Sequence, residues 1–200
     1  TVITQLTPIF SIEQNIELQP YRLNMASISV VSDDNSASNI FDGLDLLLVS
    51  NDGSDYYVPS YNVDQIGDML ETEGYNVFLN GGETQLLSVE GLPVDANQTI
   101  GLNAFTMNLL PYLLQDCMAT SDVFSGYESD LLVVKNDASD YYVPGSGVET
   151  LEEMCPGEAY AVFLSGASDL DFTYPVGGAL SSTHDMDSYK ERAHVNALEN

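Results

Sequence analysis

The segment DLLLVSNDGSDYYVP runs from Asp45 to Pro59, and DLLVVKNDASDYYVP runs from Asp130 to Pro144. Sliding the chain on itself by 85 residues matches 19 of the 35 positions from Asp45 to Leu79 without a gap. A repeat of this period fits twice into a chain of 200 residues. The sequence therefore predicts two copies of one structural unit.

The repeat also predicts the domain organisation. Residues 12–95 form β-rich unit A and residues 96–176 form β-rich unit B. Residues 1–11 are an N-terminal arm, and residues 177–200 are a C-terminal tail in which Thr183 can cap a short helix. Units of about 85 residues lie near the lower size at which a hydrophobic core suffices alone, so we expect the two units to pack on each other.

Apolar patterning predicts strands. Alternation over residues 16–18 and 100–102 is typical of half-buried strands. Residues 46–49 and 131–134 are apolar throughout, which predicts strands covered on both faces, and the Asn-Asp turns that follow predict hairpins. The predicted fold is mainly β, α+β at most, with two pseudo-symmetric tandem units and short helical connections.

Two details of the connections are also predictable. Residues 36–41 suit one or two helical turns, and an apolar spacing of three suggests a further helical turn in each unit. That spacing is carried by Val63, Ile66 and Met69 in unit A and by Val148, Leu151 and Met154 in unit B.

Ala138 stands where unit A has Gly53, and alanine enters the left-handed region less readily than glycine. The two turns therefore differ slightly in backbone, or this position has a negative φ in both.

The charge balance excludes several partners. The chain has 31 acidic against four basic residues and a formal net charge of -27. Nucleic acids and anionic membranes bind through clusters of Lys and Arg, so neither is an expected partner. No apolar run approaches the ~20 residues that span a bilayer, so no membrane insertion is expected. Salt screens the self-repulsion of such a surface, which favours a marine or otherwise saline source.

The two cysteines, Cys117 and Cys155, both belong to unit B. They form no C-x-x-C or other metal-ligand spacing, and neither aligns with a cysteine of unit A. Free buried thiols are favoured over a disulfide, because free cysteine is among the most buried residue types.

Motifs of catalysis are missing from the sequence. It contains neither H-E-x-x-H nor G-x-x-x-x-G-K-[ST], and both histidines, His184 and His194, lie in the predicted tail. We therefore predict no enzymatic activity and no cofactor.

Calcium is the strongest ligand hypothesis. Asp52 and Asp55, with Asp137 and Asp140, place carboxylates in the same turn of both units, and oxygen ligands suit Ca²⁺. The EF-hand spacing is absent, however, and Asp and Asn are common in hairpin turns for conformational reasons. The conformational interpretation is preferred, with calcium as the alternative.

Adjacent tyrosines suggest a contact surface. Tyr56 and Tyr57, like Tyr141 and Tyr142, are neighbours on a strand, so one of each pair faces away from the core. The outward ring contacts either the other unit or an external partner, since tyrosine is favoured at interfaces. Tyr189, in the predicted tail helix, is a further candidate for partner contact.

The repeat resembles a module found in secreted surface proteins of Bacteroidota and in structural proteins of tailed phages of marine bacteria. Unit B carries the pattern at Ile100, Leu102, Asn108, Val134 to Asp137, Tyr142, Pro144, Val148, Leu151, Met154, Pro156, Gly157, Tyr160 and Val162. The resemblance covers most of residues 12–175 and implies a non-catalytic structural or adhesive role.

The resemblance allows two settings for that role. The first is an external virion component of a tailed phage, such as a decoration, cement or fibre-associated protein. The alternative is a secreted cell-surface adhesion or filament module of a marine bacterium. The sequence analysis favours the virion, because an acidic surface would be repelled from packaged DNA and so would lie on the outside. Other structural proteins in a repeated assembly are the expected partners under either setting.

Overall fold

The computed structural model describes residues 10–175 of the chain. The predicted N-terminal arm up to residue 9, the predicted tail helix and Tyr189 lie outside the described residues. The described part is mainly β, as the sequence predicts, with antiparallel sheets and short helices. Within it, no helix is long and apolar enough to cross a membrane.

Unit A contains eight strands in two sheets. Strands β2, β7, β4, β5 and β6 form a five-stranded sheet in that order, and β1, β8 and β3 form a three-stranded sheet. The strands are β1 Ile12–Leu18, β2 Asn24–Ala26, β3 Val30–Val31, β4 Leu46–Ser50, β5 Tyr56–Val58, β6 Val63–Asp64, β7 Tyr75–Leu79 and β8 Gln85–Pro93. Helix α1 is Ala37–Ile40, within the predicted helical segment, and Pro59–Tyr61 form a 3₁₀ turn.

Unit B repeats the five-stranded sheet, with the strand order β10, β16, β12, β13 and β14. The pairs β17 with β9 and β11 with β15 form two separate two-stranded sheets. The strands are β9 Ile100–Leu102, β10 Asn108–Pro111, β11 Met118–Ala119, β12 Leu131–Lys135, β13 Tyr141–Val143, β14 Val148–Glu149, β15 Glu153–Met154, β16 Ala159–Leu164 and β17 Leu170–Phe172. Helix α2 is Thr120–Val123.

Each unit has its own hydrophobic core under the inner face of its five-stranded sheet. The core of unit A draws its buried residues from 16–89, and that of unit B draws them from 94–174. Val49 of unit A and Val134 of unit B are fully buried at equivalent strand positions, as are Val77 and Val162. The repeated sequence therefore builds the same core twice.

The predicted helical turns over the residues spaced by three are wrong. Val63 and Val148 lie instead in two-residue strands that pair with Val58 and Val143, and both are exposed. Met69 is buried because the segment folds back beside the start of α1, where its N–H bonds to Asn35. A tight reversal between two strands brings the chain back to the core after a few residues. It therefore gives the same spacing of apolar residues as a helical turn.

The prediction that β4 and β12 are covered on both faces is also wrong. Leu47 is 46% exposed and Leu132 is 56% exposed. A bulge in each strand, next to these residues, interrupts the pairing with β7 and β16. The bulge turns one leucine of each apolar run toward solvent.

The repeated hairpin turns have the same backbone in both units. Neither Gly53 nor Ala138 has a positive φ, which confirms the second of the two alternatives given above. The left-handed residue comes one position later, at Ser54 with φ 71° and Ser139 with φ 74°. Glycine is therefore not required at the position where the two units differ.

Candidate interaction surfaces

The two units hold each other through reciprocal contacts. The backbone N–H of Met25 in β2 donates to Asp137 Oδ2 at 3.2 Å, and that of Leu109 in β10 donates to Asp52 Oδ2 at 3.1 Å. Met25 and Leu109 are equivalent in the repeat, as are the two aspartates. Each unit thus offers the other the same donor and the same acceptor, as in an isologous dimer interface.

Apolar packing accompanies these hydrogen bonds. The outer faces of the two five-stranded sheets meet in a buried cluster of Met25, Leu109, Ala159 and Ala161. Gly74 lies against this cluster, and a Cβ there would be 2.8 Å from Leu109 O and 2.9 Å from Ala159 Cβ. Only glycine permits this approach, because the first of these contacts is with backbone that cannot swing aside.

The four candidate calcium ligands have other roles or remain apart. Asp52 and Asp137 accept the inter-unit bonds, and Asp137 Oδ1 also pairs with Arg22 at 3.1 Å. Asp55 and Asp140 each donate a backbone N–H to the side chain of the asparagine that opens the turn. Among residues 10–175 these aspartates form no cluster of three carboxylates that could hold an ion. Their placement matches the conformational interpretation, and calcium binding stays an untested prediction.

One tyrosine of each adjacent pair faces the core. Tyr57 stacks on Phe41 with ring centroids 6.5 Å apart, and Tyr142 stacks on Phe124 at 6.4 Å. Burial raises the pKa of both phenols above the ordinary value, because it disfavours the charged phenolate. Both rings therefore pack on the core, with Tyr142 buried and Tyr57 partly exposed, and a partner contact of either residue stays a prediction.

The other tyrosine of each pair faces outward. Tyr56 and Tyr141 sit beside Ser50 and Lys135 on the outer face and are 40% and 41% exposed. Tyr141 also lines a cleft between the units. Its outward ring therefore lies near the other unit and is also open to an external partner. Tyr56 has its ring partly open to solvent.

Two exposed aromatic residues were not singled out by the sequence. Tyr21 and Phe105, equivalent in the repeat, are 84% and 86% exposed at the tips of the loops before β2 and β10. Both have φ 61°, a left-handed conformation that is uncommon for a bulky residue. An alignment of the two units could have shown that Tyr21 and Phe105 are equivalent, but no feature of the sequence indicates their left-handed backbone.

A buried asparagine fixes each of these loops. Asn24 Oδ1 accepts the N–H of Gln19 at 2.7 Å, and its Nδ2 donates to Gln19 O at 3.0 Å and Val77 O at 3.1 Å. Asn108 makes the same contacts with the equivalent backbone groups of unit B. The amide therefore ties the loop to the five-stranded sheet and imposes the conformation at the exposed tip.

A tyrosine and a glutamate form a second repeated network. Tyr160 OH accepts the N–H of Cys155 at 2.7 Å and donates to Glu158, and Tyr75 makes the same pair of bonds in unit A, with Glu73 as acceptor. Burial raises the pKa of both phenols well above the ordinary value. These hydrogen-bonded phenols are structural and suit no acid or base step near neutral pH.

Cys117 and Cys155 form a disulfide, which corrects the prediction of free thiols. The cysteines flank the pair formed by Met118 and Met154, so the short β11–β15 ladder brings their Cα atoms to 4.2 Å. Sequence spacing could not show this approach, because 38 residues separate the two cysteines. Unit A has no counterpart of this bond.

Comparison with known proteins gives no relative from which a function could be transferred. No family model matches the chain, and searches of curated proteins and of solved structures found no match either. The resemblance to the repeat module therefore stays a prediction. The functional argument rests on the side chains described above.

Proposed function

We propose that this chain is a non-catalytic structural or interaction protein that acts outside the cytoplasm. The observation that carries the proposal is the pair of aromatic loop tips, Tyr21 and Phe105. Each unit holds a large ring in solvent on a left-handed backbone, at a cost of about 1–3 kcal/mol. An exposed aromatic ring adds little to the isolated fold, but it contributes strongly when a partner covers it.

The disulfide favours the cell surface of a bacterium over a virion as the setting. The cytosol keeps thiols reduced, so a structural disulfide is typical of secreted proteins. A phage protein folds in that reducing compartment before lysis, whereas a secreted adhesion or filament module folds after export. The Cys117–Cys155 bond therefore supports the cell surface as the first candidate setting.

The outer surface of a virion is the second candidate setting. It is supported by the formal net charge of -27, which would repel the chain from packaged DNA and favour an external position. A decoration, cement or fibre-associated protein on that surface would have the same exposed tips available for its neighbours.

Fractionation of the source material tests the setting. The chain is identified by mass spectrometry in purified particles and in the cell envelope, and its free thiols are alkylated before reduction. Enrichment in the envelope with Cys117 and Cys155 protected from alkylation supports the cell surface. Enrichment in DNA-filled particles supports the virion, and a reduced protein confined to the cytosol would overturn the extracellular role.

A glycine substitution tests the loop tips themselves. Phe105→Gly removes the ring and places at φ 61° the residue that adopts this conformation most easily, so we expect no loss of stability. We expect less retention of the labelled protein on whichever fraction holds it. Tyr61→Ser is the matched control, because Tyr61 is 78% exposed but unit B has Ser146 there. Equal retention of wild type and Phe105→Gly refutes a role for the tip.

A further inference from the structure

A cleft of about 350 Å³ opens between the two units, and the exposed tips Tyr21 and Phe105, on which the proposed function rests, are not among the residues that line it. Unit A lines it with Asn76 and Phe78 of β7, and unit B lines it with Lys135 of β12 and Tyr141 of β13. Its volume falls in the range of small-ligand sites, about 300–1,000 Å³.

Lys135 gives the cleft a positive charge that the protein itself does not neutralise. Arg22 and Lys135 are the only basic residues between positions 10 and 175. Within that part of the chain the single ion pair joins Arg22 to Asp137, so Lys135 has no carboxylate partner. Asp137 also lines the cleft, but its two oxygens are engaged by Arg22 and by the N–H of Met25.

Asn76 adds a polar atom without a partner. Its Oδ1 is buried yet accepts no hydrogen bond from the protein. Buried polar atoms are nearly always hydrogen-bonded, so an acceptor left unpaired inside a residue that lines the cleft indicates a missing donor, and a rotation of the Asn76 side chain would present Oδ1 to the cleft. The rings of Phe78 and Tyr141 supply apolar surface beside it.

We propose that this cleft binds a small acidic sugar, with a hexuronate as the basic unit. The Lys135 ammonium would pair with the carboxylate, a sugar hydroxyl would donate to Asn76 Oδ1, and the C–H face of the ring would lie against Tyr141. A hexuronate carries one negative charge, and the net charge of -27 repels anions of higher charge more strongly. It also offers the hydroxyl donors that a simple carboxylate lacks.

The repeat contains a natural control for this site. At the equivalent positions of the other half, Ser50 replaces Lys135 and Ala161 replaces Asn76. Both the cation and the unpaired acceptor are therefore missing there, and only the tyrosine is kept, since Tyr56 is equivalent to Tyr141. The structure therefore predicts one sugar site, and not two, within residues 10–175.

Methionine methyl groups provide the readout. Met25 and Met107 line the cleft, whereas Met69 and Met154 are buried in the cores of the two units. Protein labelled at the methionine methyl groups is titrated with glucuronate, with glucose and with acetate at constant ionic strength. We expect glucuronate to shift the signals of Met25 and Met107 in a saturable manner and to leave those of Met69 and Met154 in place.

Substitutions assign the effect to the cleft. Lys135→Ser copies unit A, and we expect it to raise the Kd for glucuronate at least about tenfold, because a charge-assisted hydrogen bond is lost. Tyr141→Ala should also weaken binding, whereas Tyr56→Ala is the control that should not. The positions of the Met69 and Met154 signals verify that each variant is folded.

Several results would overturn the proposal. They are the absence of saturable shifts with glucuronate, equal affinity for glucose or acetate, or an unchanged Kd in Lys135→Ser. A short acidic peptide that displaced glucuronate and bound more tightly would also refute it, because the site would then be a peptide site.

Discussion

Removal of the disulfide in unit B should destabilise the protein by several kcal/mol. The bond joins Cys117 and Cys155 across a sequence separation of 38 residues. In the chain-entropy model, closing a loop of that length removes about 13 cal/mol/K of entropy from the unfolded chain, which is about 4 kcal/mol at 25 °C. Domains are stable by only about 5–15 kcal/mol, so this is a large share.

Urea denaturation of wild type and the Cys117→Ser/Cys155→Ser variant measures this contribution. With an m-value of about 2 kcal/mol/M, a loss of about 4 kcal/mol lowers the urea midpoint by about 2 M. Wild type in the presence of reductant should move toward the variant, while the variant should not respond to reductant. The double substitution is preferable to a single one, because it leaves no unpaired thiol.

The repeat makes the result more informative than a single midpoint. The methyl signal of Met69 reports unit A, and that of Met154 reports unit B. Loss of both signals at the same lower urea concentration would mean that the reciprocal interface couples the units. Midpoints that agree within about 0.3 M between wild type and variant, or two reactive thiols in the native oxidised protein, would refute the reasoning.

Three further predictions concern features that the units share. Asn108→Ala should lower the free energy of unfolding by about 3 kcal/mol, because it removes a buried amide and leaves backbone groups without hydrogen-bond partners. The control Asn80→Ala, at an exposed position, should change the urea midpoint little. Asp137→Ala should cost about 2 kcal/mol, and more than Asp52→Ala by about 0.5 kcal/mol, because only Asp137 also pairs with Arg22; a difference that persists in 1 M salt would contradict this account. Burial raises the pKa of six phenols, most strongly for the four named below, so the folded state keeps protons that the unfolded chain loses; the contribution of these phenols to stability should be constant below about pH 10 and fall as the pH rises above it. Four of the tyrosinates should therefore appear only as the protein unfolds at alkaline pH, and ionisation of every tyrosine in the folded protein would count against the burial of Tyr75, Tyr112, Tyr160 and Tyr174.

The mainly β fold could be predicted because its signals are local. Alternation, turn residues and the exact return of the Asn-Asp turn locate the hairpins of both units. That one tyrosine of each adjacent pair faces the core follows from the two-residue period of a strand, but the period does not show that it is Tyr57 and Tyr142. Three-residue apolar spacing was a weaker signal, because the reversal around Val63 produces it as readily as a helix does.

Contacts between distant segments could not be predicted in the same way. Nothing in the spacing of Cys117 and Cys155 shows that β11 and β15 pair, so free thiols and a disulfide were both compatible with the sequence. The turn aspartates present the same problem. A carboxylate in a turn can cap the turn, bind an ion or accept a hydrogen bond from another unit, and only the packing of the two units identifies the third role for Asp52 and Asp137.

The reciprocal interface also indicates where function should be sought. An isologous contact uses the same surface of both units, so the pair is closed and leaves no free copy of that surface for a third unit. Positions that the repeat shares at this interface, such as Asp52 and Asp137, are therefore accounted for by the fold. The exposed tips and the positions where the copies differ are not needed for this interface and are therefore free for contacts with other molecules. Lys135, Asn76 and the disulfide of unit B are differences of this kind, and the shared fold does not require them.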